Sequence, residues 1–368
     1  MDKVLVQEKN FKWQNYASAI GLVILLIVSS VLSDTFLFPI NIMNVAKQIA
    51  VQGVLAIGMQ FVILLGGIDL SPGAVVALTG VFFAYLMPTL GFFPSAIVIL
   101  IFGCLLGMIY GVFITKMGIP AFIVTLAGQT ICRGVALTVT GSTAVSISSR
   151  AVTKLGSGNV PFPVCVVLFC LIGLYVIFLL VQDIRKQKSA FRIFFKILVL
   201  ALLGYAAYIT SQVNGLSILV TITGVLLVTF VFILSSTVFG KNVYASGGNI
   251  QAARLSGINV NKTVMFSYMI CSLMAALGGV MTAARLGTGS PLIGTNYELD
   301  AIAAVVIGGT SMSGGSGKLT GTLIGVLLIG VLNNMLSLLN VSSNMQLIFK
   351  GLIILVAVVI DSTSNKKK

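Results

Sequence analysis

The sequence predicts an all-α fold, a polytopic transmembrane helical bundle, and three observations predict it. Of the 368 residues, 58% are hydrophobic and only 8% are charged, whereas soluble domains carry about a quarter charged residues. Mean hydropathy is +1.11, and since one span takes roughly 20 residues the chain supplies about twelve spans with short connections. Most of the 22 Lys and Arg, which give a net charge of +14, stand in the short connections between apolar runs rather than on a helical stripe. They read as orientation signals and not as a nucleic-acid surface.

Taken in order, candidate spans lie at roughly 17–35, 41–65, 73–90, 93–115, 119–140, 162–182, 193–213, 216–238, 263–284, 297–312, 320–339 and 344–361, all within one transmembrane domain, 1–368. The first run lacks a small-residue cleavage site and reads as a span, not a removable signal. Lys3, Lys9 and Lys12 precede it and Lys366, Lys367 and Lys368 follow the last run. Both termini are therefore expected in the cytoplasm, which requires an even number of crossings. With that start, Lys116, the cluster Arg185/Lys186/Lys188/Arg192, the group Lys241/Arg254/Lys262 and Lys318 all fall on the cytoplasmic side. Arg150 and Lys154, in the polar connection 141–161, are the exception. The tenth segment is short enough for a half-helix that enters and leaves on one side.

The chain has no His and five Cys, none in CxxC spacing. Histidine general bases, imidazole ligands and a Ser/His/Asp triad are thereby excluded, no disulfide or zinc framework is supported, and no enzyme is expected. Ser313 to Gly321, SGGSGKLTG, has the flavour of a phosphate loop, but Met312 and Leu319 occupy the positions where a Walker A loop needs Gly and Ser/Thr. No cofactor or metal is expected on this chain.

Two Gly-rich breaks overlay: GGIDLSPG (Gly66 to Gly73) on GGTSMSGG (Gly308 to Gly315), with Gly66/Gly308, Gly67/Gly309, Ser71/Ser313 and Gly73/Gly315 in register. In hydrocarbon such breaks persist only inside protein or along a wet path, so they mark either a transport route or tight turns with Ser71 as N-cap and Pro72 at the first helical position. The acidic residues are few. Asp2, Glu8, Asp34, Asp183 and Asp361 stand near span ends and read as solvated, but Asp69, Glu298 and Asp300 adjoin apolar sequence and breaks, where an unpaired charge is costly. Thr295 to Glu298 fits a capping box. Asp69 and Asp300 either line a polar path or pair with a cation, and Arg133, beside Gln129 in the fifth span, is the natural intramembrane cation.

The segment 240–262 contains the signals of a short helix: Asn249 as N-cap, Ala252, Ala253 and Arg254 as helix formers, and Gly257 at the left-handed position past the end. Two turns do not hold alone. With Gly247 and Gly248, the small alanines permit close docking, either onto the spans or onto a partner; an ordinary loop with a helical turn is the alternative.

The strings GGIDLSPG, FIVTLAGQTICRG, YASGGNIQAARLSGINV, YELDAIAAVVIGGTSMSGGSGKLTGTLIGVL and VVIDS resemble the monosaccharide permease subunits of bacterial ABC importers, the ribose, xylose and galactose permeases, over nearly the whole chain. GSTAVS (Gly141 to Ser146), RLGTGSP (Arg285 to Pro291) and an extra hydrophobic hairpin, 193–238, bring it nearest to the xylose permeases. The resemblance implies a homodimer in the bacterial plasma membrane whose interface forms the path for xylose or a related aldose, ribose and galactose being the alternatives. It also implies a cytoplasmic tandem-domain ATPase, which binds ATP and magnesium, and an extracytoplasmic sugar-binding protein. Gly247 to Gly257 matches the helix that transmits ATPase closure. Pro72 and Ser246 depart from the residues common in relatives. Within the path, Ser71, Gln129, Asn333 and Asn334 are candidates for exchanging hydrogen bonds with sugar hydroxyls, with helix-to-helix bonding as the alternative. An ion-coupled carrier is the weaker reading, because its only candidate groups, Asp69, Asp300 and Arg133, are not expected to form a cluster.

Overall fold

A computed structural model describes residues 17–186 and 190–365. Lys3, Lys9, Lys12, Asp2, Glu8, Lys188 and Lys366 to Lys368, on which part of the orientation reading rests, lie outside the described residues.

Every apolar run forms a helix. The order is α1 (Ala17–Leu32), α2 (Pro39–Leu64), α3 (Pro72–Leu90), α4 (Phe92–Lys116), α5 (Ala121–Thr140), α6 (Arg150–Ser157), α7 (Phe162–Arg185), α8 (Ala190–Gln212), α9 (Ile218–Ser236), α10 (Val238–Gly248), α11 (Ile250–Leu255), α12 (Val260–Leu286), α13 (Tyr297–Ile307), α14 (Leu319–Leu338) and α15 (Ser343–Asn365). Eight described helices, α2 to α5, α7, α9, α12 and α14, are long and apolar enough to cross a membrane. Two antiparallel two-residue ribbons, Val145–Ser146 (β1) with Thr288–Gly289 (β4) and Asn159–Val160 (β2) with Leu216–Ser217 (β3), clip together the loops at one end of the bundle.

The centre is α2, α3 and α12. Of the most apolar stretch of α2, 89% is buried, against 6% for α7, whose surface is left for lipid. Lipid tails are as apolar as leucine, so these helices are held by close packing rather than by hydrophobic expulsion. The antiparallel contact of α4 and α12 shows how. Gly103, Gly107 and Gly111 stack on one face of α4 directly over Ser272, Tyr268 and Met265 of α12, and a methyl group at any of the three would strike α12 backbone. Residues 193–238 form α8 and α9; α8 lies along α7, and α9 lies along α2.

Two expectations change here. The tenth segment is indeed short: α13 has 11 residues, about 16 Å at 1.5 Å per residue, against roughly 30 Å of hydrocarbon. It does not leave on the side it entered. The chain passes from β4, at the ribbon end, through irregular residues 290–296, and α13 carries it to Gly308 and Gly314, which lies against Gly66 at the opposite end. The acidic residue Asp183 is not simply solvated, since Lys196 of α8 pairs with it at 2.7 Å.

Candidate functional site

Three acidic side chains lie inside the bundle, each near the start of a broken helix, where unpaired backbone N–H groups favour negative charge. Asp69 is fully buried before α3. One carboxylate oxygen, Oδ1, accepts from the Ser71 backbone N–H at 2.8 Å and from the Ser71 hydroxyl at 2.7 Å. Ser71 does stand at the N-cap of α3 with Pro72 behind it, but its hydroxyl serves Asp69 rather than the helix. Among the described residues the other oxygen, Oδ2, and the buried Tyr268 hydroxyl have no nitrogen or oxygen partner, and the Cys271 thiol lies beside the Asp69 carboxylate.

Glu298 is buried in the first turn of α13, and its Oε1 accepts from Gln129 Nε2 at 3.1 Å. The expected capping box is absent. Asn296, in the left-handed region at φ 65°, is the N-cap, and the Thr295 hydroxyl instead donates back to the Leu292 carbonyl at 2.8 Å. The left-handed turn moves the helix start one residue on, so Thr295 faces away from the amides it was to cap. Gly73 lies so close to Glu298 Oε2 and the Gly294 carbonyl that no side chain fits there. The starts of α3 and α13 therefore abut inside the bundle.

Arg133 pairs with backbone. It donates to the Pro291 carbonyl and, at 2.8 Å, to the Ile293 carbonyl, fastening the irregular stretch before α13 to α5. Asp300, one turn into α13, accepts from Lys350 Nζ and Gln52 Nε2, each at 2.9 Å. Asn334 and Asn41 exchange amide hydrogen bonds at 3.0 and 3.1 Å. Asn333 is buried with its carbonyl unpartnered. The structure thus joins Gln129 to Glu298 and Ser71 to Asp69 by hydrogen bonds and brings Asp69, Arg133 and Asp300 within electrostatic reach of Glu298, while the asparagine pair bonds separately.

At the end opposite the ribbons, the two Gly-rich breaks meet. The Gly315 N–H donates to the Leu64 carbonyl at 2.8 Å, and Gly314 presses on Gly66 N. The overlay in sequence is not a repeat in conformation: Gly66 and Gly309 have positive φ, whereas Gly308, at φ −66°, and Gly67 do not. The two breaks complete one junction with different turns. Gln60 ties the same junction to α2, donating to Thr310 at 3.0 Å and accepting from Thr322.

α10 and α11 cover this junction. Asn249 caps α11 as expected, accepting from the Ala252 N–H at 2.9 Å, and Gly257 takes the left-handed position at φ 82°. Gly247 touches the Leu64 carbonyl and the Gly315 N–H so closely that a Cβ cannot be accommodated. Tyr244 donates to the Gly317 carbonyl at 2.9 Å, and burial pushes its phenol above the ordinary value. Ala253 is buried towards the bundle, while Ala252, Arg254 and Leu255 face outward, Leu255 being 91% exposed.

Sequence reasoning missed Gln52, Gln60, Lys350, α10 and the Gly103/Gly107/Gly111 stripe. The signals for Lys350 and for the glycine stripe were present. Lys350 is the one cation inside the run 344–361, and the three glycines recur every fourth residue.

A family model described as "Branched-chain amino acid transport system / permease component" matches residues 41–358. The chain is 37% identical to the ribose import permease protein RbsC of Haemophilus influenzae, covering 100% of this chain and 96% of that one. It is 39% identical to the xylose transport system permease protein XylH of the same organism, covering 98% and 99%, and 40% identical to RbsC of Bacillus subtilis, covering 95% and 92%. No solved structure matches. The relatives are transport permeases rather than enzymes, and this multi-pass chain belongs to the bacterial membrane permease family that contains the ribose and xylose ABC importer subunits.

Proposed function

We propose that this chain is the membrane-spanning subunit of an ATP-driven importer of a pentose-sized aldose, xylose or ribose. It works as a homodimer, receives sugar from an extracytoplasmic binding protein and is driven by a separate cytoplasmic tandem-domain ATPase. Xylose is supported by the GSTAVS and RLGTGSP stretches; relatives named for ribose support that sugar equally. ATP and magnesium belong to the partner, and both termini lie in the cytoplasm with α10 and α11.

One observation carries this reading: α11 is a two-turn helix fixed on its inner face and unoccupied on its outer one. Gly247 seats the preceding α10 on the junction of the two broken helices and Ala253 is buried on the inner face of α11, while Ala252, Arg254 and the 91% exposed Leu255 point away. An exposed leucine on a helix too short to stand alone suits a helix pressed into a partner's groove. We assign the coupling role to Gly247, Gly248, Asn249, Ala252, Ala253, Arg254 and Gly257. Asp69, Arg133, Glu298 and Asp300 hold the broken helices in place beside the path, and hydrogen bonding to sugar falls to other groups.

The test is uptake of labelled xylose, ribose, galactose and glucose in cells with the chain deleted and restored. Loss of pentose uptake on deletion, its return on restoration, and its loss again in Leu255→Asp with the permease still inserted would support the reading. Normal uptake of all four sugars after deletion would refute it.

A further inference from the structure

Four amide side chains lie along one face of α2: Asn41, Asn44, Gln48 and Gln52, spaced three, four and four residues apart. Two of them are committed within the protein, Asn41 to Asn334 and Gln52 to Asp300. The two between them, Asn44 and Gln48, make no hydrogen bond among the described residues. Together with Lys47, Ser157, Arg285 and Asn334 they line a half-enclosed cavity of about 290 Å³ between α2, α6, α12 and α14.

Lys47, Ser157 and Arg285 likewise make no side-chain hydrogen bond or ion pair among the described residues, Arg285 lying within electrostatic reach of the Tyr297 phenol. The ion pairs among the described residues are Asp183–Lys196 and Asp300–Lys350, and no acidic residue lines the cavity. Five polar side chains, none of them buried, thus converge on one half-enclosed space with hydrogen-bonding capacity free for a ligand. Uncharged amides offer both N–H donors and a carbonyl acceptor, and the guanidinium of Arg285 presents a planar fork of donors. A ligand that answers all of these must carry both donors and acceptors close together, as the hydroxyls around one sugar ring do. A simple anion would leave the Asn44 and Gln48 carbonyls unmet.

Size and place agree. Roughly 300–1,000 Å³ holds a drug-sized ligand, so this cavity is cut for a single ring. It lies at the ribbon end, twenty residues along α2 from Leu64, or about 30 Å from the α10 contact. That is the end at which sugar would be delivered.

We infer that this cavity is a hydroxyl-binding subsite for one aldose at the outer mouth of the path, formed within each chain, with Asn44, Gln48 and Arg285 as its recognising groups. This rests on the importer reading above.

Two measurements test it in the complete transporter in vesicles. Gln48→Leu and Arg285→Gln each raise KM for pentose uptake about tenfold, the effect of one lost hydrogen bond to a charged or well-placed partner, while ATP hydrolysis and assembly are unchanged. In Ser157→Cys, saturating pentose slows modification by a membrane-impermeant thiol reagent, and inorganic phosphate does not. Unchanged KM in both variants, or protection by phosphate but not by pentose, overturns the subsite. Vesicles of the wild-type complex that accumulate no aldose overturn the importer reading itself, so the two failures are told apart.

Discussion

Lys350 of α15 reaches into the bundle to place its ammonium 2.9 Å from Asp300 Oδ2 of α13, where Gln52 of α2 meets the same oxygen. A half-helix, a central helix and a terminal helix are thereby tied at one atom. Removing a single partner leaves the other charge buried, which costs about 3–5 kcal/mol. Lys350→Met is therefore expected to lower thermal stability of the detergent-solubilised chain sharply, and Asp300→Asn added to it should restore most of the loss. Single and double variants that unfold together would show that the pair is not what holds α15.

The α4 and α12 contact yields a second expectation. Gly107→Leu places a side chain against the Tyr268 and Met269 backbone, where backbone cannot yield as a side-chain end can, and at least about 1–3 kcal/mol of stability should be lost. Gly134→Leu is the control, because nothing lies within 4 Å of that position. Its effect should stay within about 0.5 kcal/mol. Equal effects in a denaturation series would contradict the packing.

Ala252 and Ala253 are neighbours with opposite surroundings, the first exposed and the second 3% exposed. Ala253→Trp should impair folding or insertion of the permease alone. Ala252→Trp should leave insertion intact yet reduce co-purification of the ATPase and abolish uptake. Normal uptake and assembly in Ala252→Trp would reduce α11 to a loop element.

Asn249 supplies the N-terminal side-chain cap of α11. Asn249→Ala should cost about 1 kcal/mol of local stability, seen as faster amide exchange at Ala252 with little change elsewhere. Unaltered exchange there would mean that tertiary packing, not the cap, fixes the helix.

Composition made the fold class legible because a bilayer leaves the backbone few solutions. All twelve apolar runs, from 17–35 to 344–361, appear as helices within a few residues of the expected ends. Asn249 and Gly257 were legible for the same local reason, since a cap depends only on near neighbours. Thr295 was misread because Asn296 takes a left-handed turn, beside a Gly294 that packs on Gly73, more than two hundred positions away in sequence and so out of reach of a local motif. The partners of Arg133 were invisible because they are carbonyls, which every residue carries. The glycine matches in the two breaks misled, because equal residues met there to close one junction rather than to repeat one turn.

The seat of Gly247 has a mechanical consequence. It meets the Leu64 carbonyl and the Gly315 N–H main chain to main chain, so no side chain lies between to rotate or compress. Such a joint has little slack: a displacement of α10 would pass to α2 and to the Gly315 turn through main chain rather than through side-chain rotamers. Gly247→Ala should therefore act less like a weakened contact than like a shim, shifting the resting position of both broken helices before any stroke begins.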